Sequence, residues 1–277
     1  MRTQGNELLI IANGTSICYN DLGEGTLPLI FFHGFPFNKS SWDPQMNQLK
    51  KAHRVLSFDL RGYGKSETGS ERFSMDLFAD DLVAFMDALK IEQAIVCGLS
   101  MGGYILLNAL NRYASRFAAV VFADTQCIAD TPEGREKRHQ TAAQVAKDGM
   151  NGFTEGFIGN IFSPKTLDAR KDIVEGMRQM VNAARPAVVV KTLMALGERE
   201  ETCSTLGDIK VPTLILCGED DKITPPTQAD KLHKGIAGSE LNIIENAGHV
   251  SNIEQAEVFN SHVESFIRKR VNMLGSN

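Results

Sequence analysis

The sequence predicts an α/β architecture: a mostly parallel eight-stranded sheet, helices on both faces, and a helical cap inserted after the sixth strand. Three observations carry this reading. Short, nearly continuous apolar runs recur along the chain, as in strands buried on both faces. Amphipathic helical stretches separate most of them, the alternation of an α/β sheet. One long segment, residues 128–205, breaks that alternation and is helical in pattern throughout.

The opening pair of strands, 8–11 and 16–19, flanks Asn13-Gly14, a dipeptide suited to a tight hairpin turn. The remaining strands are predicted at 29–32, 55–58, 94–97, 118–122, 213–217 and 241–244. Between them, residues 75–89 place Leu77, Phe78, Leu82, Phe85, Met86 and Leu89 on one face, with Ser74 as the N-cap and Asp76 and Asp80 in the early turns. Further helices are expected at 101–113, 225–234 and 253–270, the last ending in Arg268, Lys269 and Arg270. In the long segment, Val188–Val190 sits within a helical pattern, and Gly149, Gly152, Gly156, Gly159, Pro164 and Pro186 interrupt it. A stretch this long is not a connector. It is expected to form a cap, 128–205, over one end of a core built from 1–127 and 206–277.

Composition narrows the function. The 277 residues are 43% hydrophobic and 23% charged, with a formal net charge of −5. A chain of this size can bury a large core without staples, and its apolar content excludes disorder as the dominant state. The densest basic clusters, 135–138 and 268–270, read as solvated helix faces, so a nucleic-acid partner is not expected. No apolar run reaches membrane-spanning length, and residues 1–11 do not resemble a signal peptide. The expected location is the cytoplasm. The five cysteines, Cys18, Cys97, Cys127, Cys203 and Cys217, are odd in number and irregular in spacing, with no CxxC. They are expected to be reduced, with Cys97 and Cys217 buried as small hydrophobes.

The chemistry concentrates at Gly98-Leu99-Ser100-Met101-Gly102, a G-x-S-x-G pentapeptide between a predicted strand and a predicted helix. A serine on so sharp a turn projects outward, and the flanking glycines admit close backbone approach. The helix N-terminus behind Ser100 favours a developing oxyanion. A serine nucleophile needs a base, and the base an orienting acid. Of the later histidines, His139 lies in the cap segment, and His233 and His262 lie within amphipathic helices. His249 follows Ala247-Gly248 just past the strand 241–244, at the sheet end where open α/β sheets place their sites. His249 is therefore the predicted base. Residues after a strand's C-terminal end offer the acid: Gly218-Glu219-Asp220-Asp221, or Asp124 after 118–122. Position alone leaves these open. For an oxyanion hole, Met101 supplies one N–H. Within His33-Gly34-Phe35-Pro36, Phe35 supplies the other, since proline has none. His33 is expected to hydrogen-bond locally and hold that loop.

Together these residues resemble the α/β-hydrolase superfamily. The matching pieces are His33-Gly34-Phe35-Pro36, Asp59-Leu60-Arg61-Gly62-Tyr63-Gly64-Lys65-Ser66, Gly98-Leu99-Ser100-Met101-Gly102-Gly103, Gly218-Glu219-Asp220-Asp221 and Gly248-His249, in family order along essentially the whole chain. The resemblance implies the α/β-hydrolase fold and Asp221 as the acid, with Asp124 the alternative used by some members. It gives Asp59 and Arg61 a turn-holding role. Within the superfamily the chain looks most like capped serine esterases and 3-oxoadipate enol-lactonases, with C–C bond hydrolases and cofactor-free perhydrolases nearby. Serine at the elbow sets it apart from haloalkane dehalogenases and epoxide hydrolases of similar layout, which use aspartate there.

The expected activity is hydrolysis of a small-molecule carboxylic ester or lactone through an acyl-enzyme, with no metal or organic cofactor. A C–C hydrolase, a perhydrolase or acyltransferase, and a non-enzymatic ligand sensor are the alternatives. Phe35, Trp42, Phe153, Phe157, Ile158 and Phe162 are candidates for an apolar pocket wall. A substrate carrying a free carboxylate would want a cation, for which the cap offers Arg135, Arg138, Arg178 and Arg185.

Overall fold

Every residue of β3 (Leu29–Phe32) and β4 (Val55–Phe58) is buried, as expected of strands covered on both faces. Consecutive side chains on a strand point to opposite faces, and β3 does so with two phenylalanines. Phe31 packs on Trp42, which packs in turn on Phe259. Phe32 meets Phe58, which stacks on Phe85. One strand thus anchors a helical layer on each side of the sheet.

The computed structural model describes residues 3–271; Met1 and Arg2, part of the segment read for a signal, lie outside them. β1 (Gly5–Ala12) and β2 (Thr15–Leu22) form the predicted hairpin. After β3 comes α1 (Asp43–Leu49), then β4, α2 (Met75–Ala88), β5 (Ala94–Leu99), α3 (Met101–Tyr113) and β6 (Phe117–Ala123). Five helices follow before the next strand: α4 (Pro132–Asp148), α5 (Asn151–Ile161), α6 (Pro164–Ala169), α7 (Lys171–Asn182) and α8 (Pro186–Glu198). The chain closes with β7 (Thr213–Gly218), α9 (Pro226–Gly235), β8 (Glu240–Ile244), α10 (Ser251–Glu254) and α11 (Ala256–Phe266). The sheet order is β1-β2-β4-β3-β5-β6-β7-β8, antiparallel at β1/β2 and β2/β4 and parallel beyond. Among the described residues, no helix is long and apolar enough to cross a membrane.

Local chemistry explains the boundaries. Ser74 accepts from the Leu77 N–H and caps α2. Thr131 and Ser163 cap α4 and α6, each followed by proline at the first helical position. Gly149 ends α4 at φ 77°. Gly152, Gly156 and Gly159 do not interrupt the helix as expected but lie inside α5; nothing in their surroundings requires glycine.

Three further differences from the sequence reading have physical causes. The single helix expected at 253–270 is broken at Gln255 (φ −127°, ψ 52°), where Glu254 turns back toward Gly248. Trp42, expected in the pocket wall, is fully buried between Phe31 and Phe259, and Phe162 is likewise fully buried; both are core. Finally, not all cysteines are free. Cys127 and Cys203 form a disulfide, while Cys18, Cys97 and Cys217 are buried thiols. The paired residues are 76 positions apart but lie at the two ends of the helical insertion. Only the return of the chain to β7 brings them together, a proximity that spacing cannot reveal.

Candidate active site

Ser100 is the hinge between β5 and α3. Its φ of 52° and ψ of −114° place a non-glycine residue in left-handed space, which costs of order 1–3 kcal/mol and persists only where neighbours enforce it. Here they do. A Cβ on Gly98 would lie 2.5 Å from the Gly102 carbonyl oxygen, and one on Gly102 would lie 2.5 Å from that of Phe32. The Ser100 N–H donates to the Ala123 carbonyl, and the Thr125 hydroxyl to the Ser100 carbonyl. Close packing of β3, β5 and α3, with these two bonds from the end of β6, holds the turn.

The loops after β7 and β8 complete the arrangement. His249 Nε2 lies 2.7 Å from Ser100 Oγ, and Nδ1 lies 2.9 Å from Asp221 Oδ2. Asp221 is held by the Ile223 and Thr224 N–H groups on Oδ1 and the Thr224 hydroxyl on Oδ2. Burial works to raise the Asp221 pKa, but the adjacent imidazole and these donors hold it below the usual carboxylate range. Burial works equally against a charged His249, yet Asp221 outweighs it and the imidazole pKa rises above 6.5. The structure thus brings Ser100, His249 and Asp221 into one hydrogen-bonded row.

Asp124, the alternative acid, does not bond His249. Its oxygens accept from the Gly218 N–H (2.8 Å) and from the N–H and hydroxyl of Ser251 (3.1 and 2.6 Å), tying β6 to the two site loops. Burial and the nearby Asp221 charge push its pKa upward. Asp124, Cys217 and Asp221 bring ligand-type atoms within 4.8 Å of one another. The carboxylate oxygens are already engaged by donors, and burial drives the Cys217 thiol far above its ordinary pKa, the reverse of a thiolate ligand.

Phe35 and Met101 flank the serine. Met101 opens α3, so its N–H has no intrahelical acceptor. The turn carrying Phe35 is braced by His33, which bonds the Gly34 carbonyl through Nδ1 and accepts the Leu60 N–H at Nε2. Burial depresses the His33 pKa to about 4, so it serves as a neutral brace. Asp59 and Arg61 lie in the following turn. Asp59 accepts from Lys39 and from the Lys65 N–H, and Arg61 pairs with Asp81 and Glu71.

Ser100 and His249 open into a cavity of about 300 Å³ between the sheet and the helical insertion, at the small end of ligand pockets. Phe35, Phe153 and Phe157 line it, in mutual ring contact, whereas Trp42, Ile158 and Phe162 do not. Sequence reasoning missed Tyr104, Lys137, Thr141, Leu193, Leu196 and Ile223. One signal was available: Gly134, Lys137, Arg138 and Thr141 share a single α4 face by helical spacing. Of the four arginines considered, only Arg138 lines this cavity. Arg135 borders a separate one, Arg178 pairs with Glu155 and Glu175, and Arg185 donates to the Gly62 and Ser66 carbonyls.

Comparison with known proteins agrees with this fold. A family model described as the alpha/beta hydrolase fold matches residues 28–191 and 194–256. An AB hydrolase superfamily protein, YisY, of Bacillus subtilis is 35% identical over 89% of this chain and 93% of its own. A 3-oxoadipate enol-lactonase of Acinetobacter baylyi is 28% identical, covering 94% of this chain and 96% of its own. A malate-bound thermophilic esterase of Thermogutta terrifontis superposes with a TM-score of 0.91 at 30% identity, covering 95% of this chain and 98% of that one. With its serine elbow, its sheet order and a family match across most of its length, this chain belongs to the α/β-hydrolase fold family.

Proposed function

We propose that the protein hydrolyses a carboxylic ester or lactone through an acyl-enzyme on Ser100. The observation that carries this is the row Ser100 Oγ–His249–Asp221, at 2.7 and 2.9 Å. Ser100 Oγ attacks the carbonyl carbon as His249 Nε2 takes its proton. Asp221 keeps the other ring proton on Nδ1 and stabilises the imidazolium. The N–H groups of Met101 and Phe35 receive the carbonyl oxygen as it gains charge. His249 then protonates the leaving alkoxide, the C–O bond breaks, and a water deprotonated by His249 releases the acid. In this reading residues 128–205 act as a cap that covers the pocket.

The proposed substrate carries a second, non-reacting carboxylate. Arg138 and Arg199 both pair with Asp130 at the cap side of the cavity, leaving that group net positive. Lys137, on the same wall, has no carboxylate partner among the described residues. The names of two relatives, an oxoadipate enol-lactonase and a malate-bound esterase, point to acids of this kind. The test compares p-nitrophenyl butyrate with p-nitrophenyl hemisuccinate, which differ by a terminal carboxylate. Hemisuccinate is expected to have the lower KM, and Lys137→Met to raise that KM about fivefold while sparing butyrate. Preference for butyrate, unmoved by Lys137→Met, overturns the substrate class; no turnover of either ester counts against ester hydrolysis itself.

The pH profile follows from the His249 shift. The free enzyme needs a neutral imidazole, and the folded pKa lies above 6.5. Activity is therefore lost as pH falls through a value above 6.5, with no loss from this group on raising the pH further. A kcat/KM profile in constant ionic strength buffers checks this; an acid limb below 6.5 would contradict it.

A further inference from the structure

The loop that carries His249 is braced by the helical insertion as well as by the sheet. The His249 N–H donates to the Ile161 carbonyl at 2.7 Å, at the end of α5. A Cβ on Gly248 would sit 2.6 Å from that same oxygen. The Ser163 hydroxyl donates to the Asn246 carbonyl at 3.2 Å. Between these contacts lies Glu254, 6% exposed. Its Oε1 accepts the Gly248 N–H at 2.6 Å and its Oε2 accepts the Ser163 N–H at 2.9 Å. One carboxylate thus spans two backbone segments some 85 residues apart, one beside the proposed base and the other between α5 and α6.

We propose that Glu254 is a positioning residue for His249, joining the base loop to the helical insertion and adding negative charge beside the imidazole. The proposal rests on His249 being the base. A carboxylate accepting two N–H groups makes charge-assisted bonds stronger than neutral ones, and a buried one has few alternatives. Its partners tie Gly248, the residue immediately before His249, to the insertion, so rotation of the loop away from Ser100 must break at least one of these bonds. The charge acts in the same sense as that of Asp221. Asp221 from the β7 loop, Asp124 from the end of β6 and Glu254 from α10 are the acidic groups around the ring, and each favours the imidazolium. Burial pushes the carboxyl's own pKa upward, opposed by the Thr166 hydroxyl, by the Ser163 and Gly248 N–H groups and by the Ser163 hydroxyl.

The decisive variant is Glu254→Gln, which keeps the shape but offers one acceptor where two N–H groups need two. The expected result is a kcat lowered roughly ten- to hundredfold by misplacement of the base, with KM within about twofold. With one negative charge removed from the ring's surroundings, the imidazolium is less favoured, so the acid limb of kcat/KM moves to lower pH. Activity is expressed per site titrated with a fluorophosphonate. A merely structural role would reduce the number of titratable sites while leaving kcat per site and the acid limb as in the wild type, and that result overturns the proposal.

Ser163→Pro supplies a second measurement should the glutamine variant not fold. Ser163 has φ −65° and Phe162 is extended, so the backbone accepts proline, which deletes the N–H that Glu254 accepts and sets its ring Cδ where that N–H pointed, displacing Oε2. Ser163→Ala loses the same hydroxyl and keeps the N–H, so the difference between the two variants reads the loss of the Glu254 link to this segment. The proposal expects Ser163→Pro to lose kcat relative to Ser163→Ala with the acid limb unmoved, because the charge remains. Equal kcat in the two variants would overturn the strut. A wild-type enzyme whose activity survives Ser100→Ala would instead remove the underlying reading, a distinguishable failure.

Discussion

Ser100→Ala is expected to lower kcat on any accepted ester by about 10⁴-fold or more, and to abolish fluorophosphonate labelling. The magnitude follows from the absence of a substitute. His249 is aimed at Ser100 Oγ alone among side-chain hydroxyls of the cavity. The thiols of Cys97 and Cys217 are buried, with burial holding their pKa values well above the ordinary range, so neither supplies a thiolate. In the proposed mechanism what survives is the Met101 and Phe35 N–H pair and the pocket itself, which together leave a residual acceleration over water of about 10³–10⁴-fold. The fold is expected to persist, because alanine deletes one hydroxyl at a turn held by backbone packing of Gly98 and Gly102. Circular dichroism together with turnover and labelling checks this. Undiminished turnover in a folded Ser100→Ala protein would remove the acyl-enzyme mechanism.

Asp221→Asn is expected to cost kcat about 10⁴-fold, close to the loss at the serine itself. The reason lies in how the carboxylate is held. Oδ1 receives the Ile223 and Thr224 N–H groups, so the amide oxygen of asparagine takes that place. The amide NH₂ then replaces Oδ2, directed at His249 Nδ1. It donates to Nδ1 and moves the ring proton to Nε2, where it blocks proton transfer from Ser100. Asp124→Asn is the comparison. That side chain bonds Gly218 and Ser251 rather than the imidazole, so its substitution is expected to leave far more activity than Asp221→Asn. Parallel kinetics of the two variants decide the acid, and the reverse order would transfer the role to Asp124.

These two aspartates mark where local pattern stops being informative. Ser100 was legible because a glycine-flanked serine between a strand and a helix has few conformations open to it. His249 was legible because its loop follows a strand at the sheet's C-terminal edge. Both signals are local. Asp221 and Asp124 occupy equivalent places after neighbouring strands, and both are buried. Family resemblance singled out Asp221; the Nδ1 contact gives the geometric reason. Trp42 and Phe162 looked as suitable for a pocket wall as Phe153 and Phe157, since aromatic character does not record which way a side chain faces.

The sequence by itself determined the strand succession, the core helices at 75–89, 101–113 and 225–234, the long insertion after the sixth strand, and the serine and histidine turns. Each depends on periodicity or turn chemistry within a dozen or so residues. Only the tertiary structure decided the Cys127–Cys203 pairing, the turning of Lys137 and Arg138 toward the cavity, and the bridge from Glu254 to both Gly248 and Ser163. Each of these joins segments far apart along the chain. Such meetings depend on how layers pack and loops return, and the free energy that selects them is shared over the whole core rather than written at any one position.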